Sequence, residues 1–348
     1  MMKRSLAAVG LIILLAGCAT PAGKSAEALN DQGVSYQQGG RFDEAIAEYN
    51  KALELDPQYV SALYNRGRAY FDKELYDRAL IDFNKVIELH PSFAKAYNNR
   101  GLIYYLKGQY DKAIADYTKA VEIDSRYANA YENRGFAFSM KGDFERARAD
   151  YSKAIEINTK NDRAYALRGS ICVRIGQYDQ ALQDYSRALE INPKDALTYY
   201  SRGSVYSKKG RYEQAIADYS RALELDPQQT RIYYLRGDIY NQIGSYERAL
   251  SDYNKTIELD PNRAEPYNNR GLVYYKRGQY NQAIADYNRA LQIDPLNYRT
   301  FLNKGLACEQ AGLLAEAAEA FRSVLRYAPM NEPALEYVQK RVKEIEKP

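Results

Sequence analysis

One histidine, His90, and three cysteines, Cys18, Cys172 and Cys308, are the side chains on which a metal centre or a reactive nucleophile would have to be built. Zinc sites draw on paired cysteines and histidines at short spacing. This chain has no CxxC pair and no second histidine. It also lacks a glycine-rich phosphate loop and a Ser-His-Asp set. Carboxylates are numerous, but they return at a fixed interval, as the solvated faces of a repeated element do, and do not converge on one place. The pattern speaks against an enzyme and implies neither a metal nor a cofactor. Lys and Arg number 49 against 45 Asp and Glu, a net charge of +4. That balance gives no general pull toward nucleic acid or an acidic surface.

Cys18 has a context of its own. Lys3 and Arg4 precede an apolar run over residues 6–15, too short to span a bilayer as an ordinary helix, and the segment ends Leu15-Ala16-Gly17-Cys18. This ending resembles the bacterial lipobox, whose cysteine is acylated and becomes the first residue after cleavage. An ordinary secretory signal, cut near Ala16 or Ala19, is the alternative. The resemblance implies a lipoprotein signal peptide over residues 1–17 and a lipidated N-terminus with a short tether over 18–25. Two or more acyl chains anchor stably where one does not, so Cys18 is expected to hold the protein to a membrane. Ala19 after the cysteine, where Asp would be the retention signal, implies the outer membrane, facing the periplasm.

What positions every other side chain is a repeat. Glycines fall 34 residues apart from Gly33 to Gly305, and alanines keep the same step from Ala45 to Ala317. Nine units fill residues 26–331 without insertion: 26–59, 60–93, 94–127, 128–161, 162–195, 196–229, 230–263, 264–297 and 298–331. Counted from the start of each unit, the glycine is position 8 and the alanine position 20. Apolar and aromatic residues recur at positions 4, 11, 17, 24 and 28 on two helical periods, as at Tyr199, Tyr206, Tyr212, Tyr219 and Leu223. Gly210 at position 15 suits a helix end and Pro227 at position 32 the turn into the next helix. Each unit therefore reads as two antiparallel helices. Most of the 35 tyrosines sit at these core positions.

Position 7 is Arg and position 23 Asp in units two to eight, from Arg66 and Asp82 to Arg270 and Asp286. This predicts a repeated bridge, either between the two helices of a unit or between neighbours, contributing ~0–1 kcal/mol each if exposed. Cys172 and Cys308 share position 11 four units apart, beyond the ~4.4–6.8 Å Cα spacing of a disulfide, and read as buried thiols. His90, at position 31, belongs to a turn. Residues 332–346 place Leu335, Val338, Val342 and Ile345 on one helical face, an end cap with a polar exterior, within a tail that runs over 332–348.

Gly at 8, Tyr or Phe at 11, Ala at 20, an aromatic at 24 and Pro at 32 resemble the tetratricopeptide repeat (TPR). Departures are Cys172 and Cys308 at position 11, and Ser125 and Thr159 where Pro is usual. The resemblance implies an all-α, right-handed superhelical solenoid of nine helical hairpins with a C-terminal capping helix. It also implies a groove lined by the first helices at positions 2, 5, 6, 9, 12 and 13. At those positions units five to seven carry Arg163, Arg174, Tyr200, Lys208, Arg231 and Tyr234 around Ala166, Ser170, Ser204 and Ser207, opposed only by Asp238. Arginines grip carboxylates in a bidentate way and aromatics give contact area, so this stretch is expected to bind an extended, acidic or C-terminal peptide. A second candidate is Tyr64, Arg68, Phe71, Lys95, Asn98 and Tyr105. No unit joins Lys at position 5 to Asn at position 9, which the two-carboxylate clamp of some TPR domains needs.

The expected function is a non-catalytic scaffold held on the bacterial envelope, binding envelope proteins through its groove, as in assembly of a pilus or secretion apparatus. The alternative is a module that binds peptidoglycan or polysaccharide.

Overall fold

The computed structural model describes residues 24–347. The signal segment 1–17, Cys18 and all of the tether but its last two residues lie outside them. The described residues are helical throughout, with turns between, and form two compact bodies that divide after Asp143.

The first body holds α1 (Ala26–Gln38), α2 (Phe42–Leu55), α3 (Val60–Asp72), α4 (Tyr76–Leu89), α5 (Ala94–Leu106), α6 (Tyr110–Ile123) and α7 (Ala128–Met140). The second opens with α8 (Phe144–Ile157), α9 (Asp162–Arg174), α10 (Tyr178–Ile191), α11 (Ala196–Lys208), α12 (Tyr212–Leu225) and α13 (Thr230–Gln242). It continues with α14 (Tyr246–Leu259), α15 (Ala264–Lys276), α16 (Tyr280–Ile293), α17 (Tyr298–Gln310), α18 (Leu314–Tyr327) and α19 (Ala334–Ile345). Within each body an odd-numbered helix packs antiparallel on the even-numbered one that follows, and hairpins stack in chain order. Neighbouring first helices, such as α3 and α5 or α13 and α15, also touch.

Local chemistry accounts for the ends. Gly210 ends α11 with φ +70°, a left-handed conformation glycine adopts without a Cβ penalty, and seven other hairpins use glycine at the same place. The second hairpin puts Glu74 there, at φ +59°. After the second helices an Asp or Asn side chain at position 31 accepts the N–H two residues on, as Asp56 does from Gln58 (3.0 Å) and Asp124 from Arg126 (2.9 Å). His90 fills this place once. Its Nδ1 lies 3.2 Å from Ser92 Oγ and its ring packs edge-on against Phe93, which accounts for the lone histidine as part of a turn.

Position 8 has to be glycine for reach. A Cβ on Gly271 would lie 2.7 Å from Tyr287 Cε1, and one on Gly33 2.5 Å from Tyr49 Cε1. The position-24 rings pack where that Cβ would be and are fully buried. Burial pushes the Tyr49 and Tyr185 phenols up to about 12, and those of Tyr117, Tyr253 and Tyr287 higher still.

The Arg–Asp bridge lies inside the hairpin. Arg66 donates Nε to Asp82 Oδ2 (2.8 Å) and Nη2 to Oδ1 (2.7 Å), a bidentate pair repeated at Arg100–Asp116, Arg168–Asp184, Arg202–Asp218, Arg236–Asp252 and Arg270–Asp286. A third arm reaches the preceding hairpin: Arg66 Nη1 donates to Asn50 Oδ1 (2.8 Å), Arg236 Nη1 to Ser220 Oγ (2.7 Å). The Asp82 side chain is 2 % exposed against 22 % for Arg66. The bridge is thus a largely buried contact, not the exposed pair for which a small contribution was expected. The carboxylate raises the arginine pKa further.

At the far end α19 lays Val338 and Val342 on Ala317, Phe321 and Val324, with Leu335 and Ile345 partly covered beside them. An Arg341–Glu309 ion pair ties α19 to α17.

Candidate functional site

Side-chain amides run along the first-helix wall. Position 6 of one hairpin donates to position 5 of the one before: Asn65 to Asn30 (3.0 Å), Asn99 to the Tyr64 hydroxyl (3.2 Å) and Asn133 to Asn98 (2.9 Å) in the first body. In the second body Asn269 donates to the Tyr234 hydroxyl (3.0 Å) and Asn303 to Asn268 (3.1 Å). The ladder stops between α9 and α13, where position 6 holds Leu167, Ser201 and Leu235 in place of the donating amide, while position 5 holds Ala166 and Tyr200. Short or apolar side chains cannot bridge there, and the wall opens.

Two cavities occupy the opening. Arg163, Ala166, Ser170, Leu197 and Ser201 line one of about 510 Å³, with Tyr185 on its wall. Tyr200, Leu197, Arg231 and Ile232 line the next, of about 310 Å³. Arg231 Nε donates to the Tyr200 hydroxyl at 3.1 Å, which raises the arginine pKa, and Arg231 makes no ion pair with a described residue. Asp195 and Asp226 border this cavity, but their own turns engage them. Asp195 accepts from the Leu197 N–H (3.0 Å) and the Thr198 hydroxyl (2.5 Å), and Asp226 from the Gln228 N–H (3.1 Å) and Gln229 (2.5 Å). A guanidinium beside an aromatic and two aliphatic walls can hold a carboxylate next to an apolar side chain.

The other residues of this first candidate go elsewhere. Arg174 lies over the Phe144 ring (5.6 Å) and Lys208 over Tyr178 (5.8 Å), as Lys276 does over Tyr246 (5.9 Å). Each seats its cation on the ring that opens the preceding second helix. Tyr234 lines a third cavity, of about 510 Å³, with Glu265 and Asn269, and burial pushes its phenol up to about 12. Beside it Asp238 accepts from the Tyr253 hydroxyl (2.6 Å) and Asn269 (2.9 Å), neutral donors only, and burial raises its pKa. Spacing places this carboxylate in the groove, as the one acid at position 9, but does not show its burial or its bonds to Tyr253 and Asn269.

In the second candidate, Arg68 lies 6.0 Å over the Tyr64 ring, which packs on Phe93 (5.0 Å). Lys95 lines a separate cavity of about 330 Å³ with Phe93, Ile123 and Tyr127. Asn98 is buried and committed to Asn99 and Asn133. Phe71 and Tyr105 pack on Tyr76 and Tyr110, their own hairpins' position-17 rings.

Cys172 and Cys308 are buried free thiols whose pKa values burial raises. Among the described residues no group of three His, Cys, Asp or Glu could hold a metal ion, and no helix is long and apolar enough to cross a membrane.

A stack of 34-residue helical hairpins with small residues at the crossing and a polar first-helix wall defines the class. The chain belongs to the tetratricopeptide repeat family. The TPR repeat profile matches residues 33–74, 67–108, 101–142, 169–210, 203–244 and 237–278, and tetratricopeptide repeat profiles match 128–161 and 264–297. Among solved structures it is similar to a tetratricopeptide repeat protein from Parabacteroides merdae, at 23% identity over 68% of this chain and 94% of that one, TM-score 0.52. It is also similar to PilF of Pseudomonas aeruginosa, at 19% identity over 58% and 92%, TM-score 0.53. A third likeness is to YrrB, described as a TPR protein with an unusual peptide-binding site, at 27% identity over 51% and 92%, TM-score 0.47. No curated protein sequence matches the chain.

Proposed function

We propose that the chain is a non-catalytic scaffold that holds an extended segment of a partner protein against the first-helix wall of α9, α11 and α13. The observation that carries this reading is the break in the amide ladder. It opens adjacent cavities where Arg163, Tyr200 and Arg231 replace a closed wall. Arg231 takes a carboxylate of the segment, and Tyr200, Leu197 and Ile232 receive the neighbouring apolar side chain. The partner is an envelope protein, as in assembly of a pilus or secretion apparatus, and Cys18, acylated, holds the scaffold to the membrane. Lys3, Arg4 and the apolar run ending at Cys18 support that anchor.

The chain from Ala19 onward serves as bait in an envelope extract, beside the same bait with Arg231→Gln and Tyr200→Ala. A protein kept by the first and lost from the second supports the reading. Equal retention refutes the site, and retention of wall polymer alone replaces the scaffold with a peptidoglycan- or polysaccharide-binding module. Incorporation of a labelled fatty acid, lost in Cys18→Ser, tests the anchor separately.

A further inference from the structure

Position 11 of one hairpin normally meets position 21 of the hairpin before it, and the two make an apolar pair. Leu182 packs with Tyr206, Ile216 with Tyr240 and Leu250 with Tyr274. The position-7 arginine lies over the same ring, at 5.9 Å for Arg66 and Tyr70, 5.9 Å for Arg202 and Tyr206, and 5.8 Å for Arg236 and Tyr240.

At one place both members change. Position 21 of the fourth hairpin is Arg148 where the other eight hold Ile, Leu or Ala, and position 11 of the fifth is Cys172. A cavity of about 430 Å³ opens there, bounded by Arg148, Arg168, Cys172, Gln177 and Gln180. That size falls within the range of small-ligand sites. Arg168 keeps the pose it shares with its counterparts, held by Asp184 at 2.9 and 2.7 Å and bonded to Ser152 at 3.1 Å, with no ring at position 11 beneath it. Arg148 pairs with Glu145 (2.7 Å) and donates to Gln177 (3.2 Å), which fixes one wall. Both cations already have carboxylate partners, so the cavity suits a neutral occupant better than an anion.

We propose that this notch is a second binding site, and that it takes a tyrosine side chain of a partner polypeptide beside the Arg168 guanidinium, outside the Cys172 thiol, which is itself sealed from solvent. The other hairpins supply the template: a ring under the position-7 guanidinium, against the preceding second helix. The amide groups of Gln177 and Gln180 give the phenolic hydroxyl hydrogen-bonding partners. None of these residues belongs to the first-helix wall, so the site does not rest on the groove reading.

The test uses p-cresol, the tyrosine side-chain analogue, on the full chain, with binding followed by thermal shift and saturation-transfer NMR. Saturable binding is expected, with the ring's Overhauser contacts to Arg168 and Gln177. The aliphatic analogue 4-methylcyclohexanol should bind roughly tenfold more weakly, for want of a π face under the guanidinium. Arg148→Leu with Cys172→Tyr rebuilds the ordinary pair and should abolish binding. Should that variant not fold, the wild-type Overhauser contacts decide alone, and their absence overturns the site. Equal affinity for the two analogues, or unchanged binding by a folded double variant, also overturns it. N-acetyltyrosinamide should displace p-cresol where N-acetylleucinamide does not. Failure of the tyrosine amide to compete would refute a polypeptide-borne ring.

Discussion

Arg66 grips Asp82 with two arms and Asn50 of the preceding hairpin with a third, so one guanidinium ties together both helices of its own hairpin and the one before. The two ends of the bridge differ, because the carboxylate is nearly sealed while the guanidinium still reaches solvent. Arg66→Ala strands a buried carboxylate and should cost about 3–5 kcal/mol. Asp82→Asn leaves a cation that can turn to water and should cost about 1–3 kcal/mol. Arg66→Met with Asp82→Leu should recover most of the loss. Denaturant unfolding of the three variants reads the order, and Asp82→Asn costing more than Arg66→Ala would contradict it.

A second set of ion pairs should behave differently. Lys107 pairs with Asp77 of the preceding hairpin at 2.5 Å, but the Asp77 side chain is 88 % exposed. Lys107→Ala should cost less than about 1 kcal/mol, and added salt should erase even that. A salt-insensitive loss of several kcal/mol would show that these outer pairs hold the hairpins together.

Alkali should unfold the array cooperatively. The phenols of Tyr49, Tyr127, Tyr185 and Tyr234 are raised by burial to about 12 from an ordinary value of 10.0. A group that holds its proton more tightly when folded adds stability that is complete below its unfolded value. That stability is lost as pH rises through the unfolded value toward the folded one. Helicity should therefore hold to about pH 10 and fall between roughly 10 and 12, with tyrosinate absorbance rising in the same step. Ionisation of all 35 tyrosines without loss of helicity would show the buried phenols to be solvent-accessible.

Glu74 is the exception among the hairpin turns, a non-glycine residue at φ +59°. Left-handed backbone costs such a residue roughly 1–2 kcal/mol, partly offset by the greater entropy glycine loses on folding. Glu74→Gly should stabilise the first body by about 0.5–1 kcal/mol. Thermal unfolding reads it, and a lowered midpoint would mean that the Glu74 side chain makes a compensating contact.

Much of this architecture is legible from the spacing of a few residue types. Gly at position 8, Ala at 20 and the ring at 24 form one steric unit, and each implies the others. The Arg–Asp pairing is legible too, because both letters recur together. Its burial and its third arm are not, since position 25 varies among Asn, Ser and Thr in the first eight units and is Arg322 in the ninth. The candidate site was harder to read for the same reason. Equal repeat positions can face the same way and still meet different neighbours. Arg163, Arg174, Lys208 and Arg231 look like one basic cluster when their numbers are aligned. In the structure Arg231 bonds Tyr200, Arg163 lines the cavity beside it, and Arg174 and Lys208 rest on rings of the preceding hairpins. The amide ladder, whose interruption marks the opening, depends on contacts between units that no single repeat displays.

The most direct test of the scaffold account is the affinity of the full chain for an array of extended peptides with and without a carboxylate beside an apolar residue, repeated with Arg231→Gln. The expected result is enrichment of acid-bearing peptides and a loss of roughly tenfold or more in the variant, as for a bidentate charge-assisted contact. Peptides retained equally by both proteins, or no enrichment of the carboxylate, would contradict it.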